Sequence, residues 1–190
     1  PRCGASSRAT AARLSDARRS GTAPAFAQRS RLPGSFADYV EDEHQVTLVL
    51  VARCCPPGGG VDVRAFEQFR QRLLQHIARE ERVVLPALEA KLGHTPRWRR
   101  LLTQDHVALV KLCVVRPDRD WLEGLSELLE FHRGQELKAH GLIAACDALL
   151  PREVLSHALA LPPVQVPTLA SDGRDVPLRL DRALRATGLR

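Results

Sequence analysis

Two His-x-x-x-Glu pairs, His76/Glu80 and His132/Glu136, stand inside apolar stripes of helical spacing, and no other feature constrains this chain's fold as strongly. The first stripe reads Phe66, Phe69, Leu73, His76, Glu80, Val83, Ala87. The second reads Leu122, Leu125, Leu129, His132, Glu136, Ala139, Ile143. Steps of three and four residues put each set on one helix face, and the polar pair falls at the same phase of both. Two further stripes carry one histidine each: Ala37, Val40, His44, Thr47, Val51, and Leu102, His106, Leu109, Cys113. A helix that buries such a face buries its imidazole and carboxylate too. An ionised carboxylate taken out of water without a partner is very costly, and the stripes offer no Lys or Arg at those levels.

Strong breakers separate the stripes: Cys54-Cys55-Pro56-Pro57-Gly58-Gly59-Gly60, Gly93-His94-Thr95-Pro96 and Arg116-Pro117-Asp118. They predict helices over about 35–53, 62–92, 97–115 and 118–149. Short connections favour antiparallel neighbours, so the expected fold is all-α, an up-down-up-down four-helix bundle over residues 36–150. Residues 1–35 hold seven arginines against the single acid Asp16, among Ser, Ala, Gly and Pro, and are expected to be a disordered tail. An organelle transit segment is the alternative for that stretch; with no apolar core after it, a secretory signal is not. After Pro151 the chain is Pro-rich, with short helices expected over 152–160 and 176–187.

The net charge of +6 equals the excess in those first 35 residues, so it describes the tail and not the helical part. With 4% aromatic residues the chain has little to stack on bases, and nucleic acid is not an expected partner. No apolar run approaches the roughly 20 residues that span a bilayer, which excludes a membrane-crossing helix. Five cysteines, with one vicinal pair and no C-x-x-C, do not form a disulfide framework and point to a reducing cytoplasm.

Antiparallel helices can bring His44, His76, Glu80, His106, His132 and Glu136 to one level. Such a set neutralises its carboxylates best by holding cations. Nitrogen and oxygen donors without cysteine suit iron or manganese, whereas structural zinc recruits thiolates and needs only four ligands. Six donors exceed what one ion with an open position needs. They fit two ions bridged by Glu80 and Glu136, each with two terminal histidines and an oxo or hydroxo bridge from solvent.

The segment HIAREERVVLPALEAKLG (76–93), with DEHQVTLVL (42–50), QDHVALVKL (104–112) and FHRGQELKAHGL (131–142), resembles the hemerythrin-like family, specifically its HHE cation-binding domains. The likeness covers about residues 36–150. It implies a left-handed bundle around a non-haem di-iron centre, with the same six residues as ligands. Oxygen-carrying hemerythrins have a His-x-x-x-His pair on the third helix, where this chain has Val110 four residues after His106, and they end with a His and an Asp five residues apart, where it has His132 and Glu136. The HHE branch is associated with sensing dioxygen, nitric oxide or iron and with handling iron under stress. The expected function is therefore to bind or sense a small diatomic ligand or peroxide, or to handle iron. Peroxidase-like or nitric-oxide-reducing turnover is the enzymatic alternative. A metal-free helical interaction module with a basic tail is the third.

Other residues carry plainer expectations. His140 is expected to be partly exposed one turn from the site, Tyr39 to pack at the bundle end, and Asp105 and Glu43 to face solvent. Arg97, Arg99 and Arg100 are expected to form a solvated face, Trp98 and Trp121 to pack, Cys54-Cys55 to end a helix, and Cys113 and Cys146 to fill the core.

Overall fold

Three of the helices begin where a short polar side chain satisfies their first amides. The computed structural model describes residues 34–169. Helix α1 (Phe36–Arg53) starts at Ser35, whose hydroxyl accepts from the Asp38 amide. Helix α2 (Val63–Arg79) starts at Asp62, whose carboxylate accepts from the amides of Arg64 and Ala65. Such caps contribute about 1 kcal/mol each. After α2 come a π-helical turn (Glu80–Val84) and α3 (Leu85–Leu92), which ends at Gly93 in the left-handed region (φ 69°). Helix α4 (Arg97–Leu112) follows Pro96, and α5 (Arg119–Glu136) starts at Asp118, which accepts from the Trp121 amide at 2.8 Å. Two short helices, α6 (Leu142–Leu149) and α7 (Arg152–Leu159), complete the helices of the described residues. The described residues are all-α: among them there is no β-strand and no helix long and apolar enough to cross a membrane.

Two helices expected to be continuous are not. The one expected over 62–92 widens at Glu80–Val84, where the Leu85 amide donates to the Glu80 carbonyl five residues back. Pro86 explains the place: it has no N–H, and its ring crowds the carbonyl of Arg82 if the α-helix runs on unchanged. The extra residue advances the buried face, so that Leu85 and Leu88 are fully buried while Ala87 is only half-buried. The helix expected over 118–149 stops at Glu136 and resumes at Leu142. Gly141 makes the break tight: a Cβ there would lie 2.7 Å from the Glu136 carbonyl oxygen and 2.9 Å from that of Gln135. Ala139, expected on the apolar stripe, is consequently exposed.

The apolar side chains form two clusters. One holds Leu50, Val51, Phe66, Phe69, Leu73, Leu109, Leu112, Leu125 and Leu129. The other holds Phe36, Tyr39, Val40, Val84, Leu88, Leu102, Ile143 and Leu155. Helix α1 runs from the second cluster to the first; α2 lies in the first, and the π turn and α3 reach the second; α4 runs from the second to the first; α5 contributes to the first and α6 to the second. The buried polar residues lie near where the chain's apolar residues pass from one cluster to the other. From Leu161 to Leu169 the chain lies against α2, where the Val164 amide donates to Gln75 Oε1 (2.8 Å) and Arg70 donates to the Pro167 carbonyl. Most of the tail expected over 1–35, and the helix expected over 176–187, lie outside the described residues.

Candidate metal centre

His44 lies one turn beyond Val40 and one turn before Thr47 on α1, which sets it between the two apolar clusters. His76 follows Leu73 on α2 and Glu80 opens the π turn; His106 sits between Leu102 and Leu109 on α4; His132 and Glu136 follow Leu129 on α5. All six are buried, the carboxylates to 1% and 0% residual exposure. Imidazole centroids are 5.0 Å apart for His44 and His76, and 4.9 Å apart for His106 and His132. The structure thus brings together all six residues singled out from the sequence.

Their mutual geometry is specific. Glu80 Oε1 is 3.5 Å from His76 Nε2, while its Oε2 is 3.2 Å from His106 Nε2. Glu136 Oε2 is 3.2 Å from His44 Nε2, while its Oε1 is 2.8 Å from His132 Nε2. Each carboxylate therefore turns one oxygen to the His44/His76 pair and the other to the His106/His132 pair. Despite these short separations, the four Nε2 atoms and four carboxylate oxygens have no hydrogen-bond partner of acceptable geometry. Buried polar atoms left so cost about 1–3 kcal/mol each unless something else satisfies them. The donor atoms of His44, His76, His132 and Glu136, and those of Glu80, His106, His132 and Glu136, lie close enough together to hold a metal ion.

The electrostatics describe a site that protons fill poorly. Burial raises Glu80 above the ordinary carboxylate range, and the neighbouring Glu136 charge adds to that rise. Burial acts on Glu136 in the same sense, but His132, His106 and His44 override it and hold it well below its ordinary value. Burial disfavours the charged form of His76, His106 and His132. For His76 it wins, with His44 adding, and the value falls well below normal. For His132 burial is the largest single influence, but Glu136 and Asp105 together outweigh it and lift the value to about 9; for His106 the carboxylates Glu136, Glu80 and Glu81 together outweigh burial and hold it well above its ordinary value. One carboxylate is pushed toward its neutral form while two imidazoles are held as cations, a compromise that a bound cation would remove.

Residues around the six depart from expectation. Asp105 and Glu43 are buried to 2% and 4% exposure, not solvated. Each lies beside charged groups of other helices, which is why the residue next to a buried histidine goes under too. Glu43 pairs with Arg72 at 2.5 Å and lies 3.6 Å from Arg79, and Asp105 Oδ2 faces His132 Nδ1 at 3.7 Å. Arg99 is no free surface arginine: it spans Glu81 with both terminal nitrogens, at 3.2 and 2.8 Å. Glu81 in turn sits 2.6 Å from His106 Nδ1, a contact sequence reasoning missed. The available signal was a second acid directly after Glu80, five residues before a proline. Tyr39 packs in the second cluster and its hydroxyl accepts from Arg79 at 3.1 Å. His140, Arg97 and Arg100 are exposed; Trp121 is buried in the first cluster and Trp98 packs partly against the second. Cys54, Cys113 and Cys146 are buried free thiols. Compared with models of known families, with curated proteins and with solved structures, the chain finds no match.

Proposed function

We propose that this protein is a hemerythrin-like, non-haem di-iron protein that binds or senses a small ligand such as dioxygen, nitric oxide or peroxide. The carrying observation is the division of each carboxylate between the two histidine pairs. Glu80 and Glu136 are the bridging groups in this reading. His44 and His76 serve one ion, and His106 and His132 the other. Four unpartnered imidazole nitrogens and four unpartnered carboxylate oxygens fit a dinuclear cation and no apolar or organic group. The donor set has no thiolate, which favours iron or manganese over structural zinc.

The alternation of the chain between the two clusters, through α1, then α2 with the π turn and α3, then α4, then α5 with α6, supports an antiparallel four-helix bundle as the frame, left-handed by resemblance. Iron, when bound, supplies open coordination positions and the electrons that small oxidants take. The chain supplies the rest. His76 is kept neutral and ready to donate its lone pair, Glu136 is kept ionised, and the two apolar clusters exclude bulk water on both sides.

The test is optical. Metal-free protein loaded with ferrous iron under nitrogen and then exposed to dioxygen or nitric oxide develops new near-ultraviolet and visible bands. His76→Ala does not. Bound iron with an unchanged spectrum after both gases would remove the small-ligand reading and leave iron handling.

A further inference from the structure

The two halves of the cluster differ in what stands behind their histidines. A carboxylate can only accept, so the 2.6 Å contact fixes His106 Nδ1 as the donor to Glu81 Oε1 and leaves Nε2 facing the cluster, where a metal ion would take the place of its proton. Arg99 pairs with Glu81 from its other side, at 2.8 Å, and lies 3.7 Å from Glu89. Behind His132 stands Asp105, buried, its Oδ2 unpartnered and 3.7 Å from Nδ1. Among the described residues, Nδ1 of His132, like Nδ1 of His44 and Nδ1 of His76, has no hydrogen-bond partner, but of these three only His132 has a carboxylate beside its Nδ1, that of Asp105. The asymmetry starts in the local fold. The π turn directs two consecutive acids inward, Glu80 to the cluster and Glu81 to the back of His106.

A carboxylate accepting the outer N–H of a ligating imidazole orients the ring and makes its inner nitrogen a stronger donor. We propose that Glu81 and Asp105 are positioning residues that make the His106/His132 position the tight one. The first metal ion enters there, and the ion held by His44 and His76 is the weaker and the first to exchange. This rests on the two-metal reading above and adds an order of filling to it.

The experiment is a titration of the metal-free full chain with Co(II) under nitrogen, followed by visible absorption and by calorimetry. Wild type takes up two equivalents in two resolved steps. Glu81→Gln weakens the tight step about 10- to 100-fold, shifts the absorption bands of that step, and draws the two steps together. Arg99→Leu removes the same ion pair but leaves Glu81 on His106. It lowers thermal stability comparably while keeping the steps apart, which a merely structural role for Glu81 does not predict. Should Glu81→Gln fail to fold, Asp105→Asn decides by weakening the same step. Two equivalents bound with one affinity, or a Glu81→Gln variant that weakens both steps alike or neither, overturns the order of filling alone. No cobalt bound at all overturns the two-metal reading with it.

Discussion

Glu136 Oε2 lies 3.2 Å from Nε2 of His44, which comes from the first helix of the described chain, while its Oε1 reaches back 2.8 Å to His132 on its own helix. One carboxylate thereby joins both histidine pairs, and its loss is felt by both. Glu136→Gln is expected to leave less than half an iron per chain after gel filtration, whereas His44→Ala, which strips one pair only, keeps about one. Elemental analysis of the two variants side by side checks this.

The same atoms cost stability when no metal is bound. Their lack of hydrogen bonds predicts that replacing Glu80, buried to 1% exposure, with Leu stabilises the metal-free protein by about 1–3 kcal/mol. Wild type, in contrast, is stabilised by added metal and this variant is not, because binding to the folded state alone shifts unfolding. Thermal unfolding with and without iron, under nitrogen, separates the two effects.

Acid is predicted to weaken metal binding through His132. Its value of about 9 in the metal-free fold means that the imidazole keeps its proton at neutral pH, and a metal must displace it. The sign follows: affinity rises with pH through neutrality, by about tenfold per unit for that one proton, and levels off above about 9. Calorimetry in buffers of different ionisation enthalpy counts the protons released, and at pH 7 at least one per two metals is expected.

Gly141→Ala tests the break between α5 and α6. The added Cβ would sit 2.7 Å from the carbonyl of Glu136, so the turn must open and carry that residue with it. A loss of about 1–3 kcal/mol is expected, comparable to overpacking elsewhere in a core. Iron content should fall in parallel, which a substitution at exposed Gly134, with nothing within 4 Å of its Cβ position, does not cause.

Periodicity made His44, His76, Glu80, His106, His132 and Glu136 legible, because a polar side chain repeating at apolar spacing has only one place to go. The surroundings were not legible in the same way. Leu88 replaces Ala87 in the core because one residue of π turn shifts every later position, and a shift of one is invisible to a stripe that tolerates steps of three or four. The break at 137–141 was hidden by Leu137 and Ala139, which prolong the apolar pattern although both are exposed. Glu81 and Asp105 behind His106 and His132 depend on where neighbouring helices stand, which no single helix records. The segment over 161–169 has no period to read, yet Gln75 and Arg70 on α2 tie it down.

The central claim is that four imidazoles and two shared carboxylates hold a pair of iron ions. Counting the metal in full-length protein purified without chelator tests it most directly. The account predicts close to two iron atoms per chain, falling below one in Glu80→Ala. Less than half an iron per chain in the wild type, after anaerobic loading with excess ferrous iron, would contradict it.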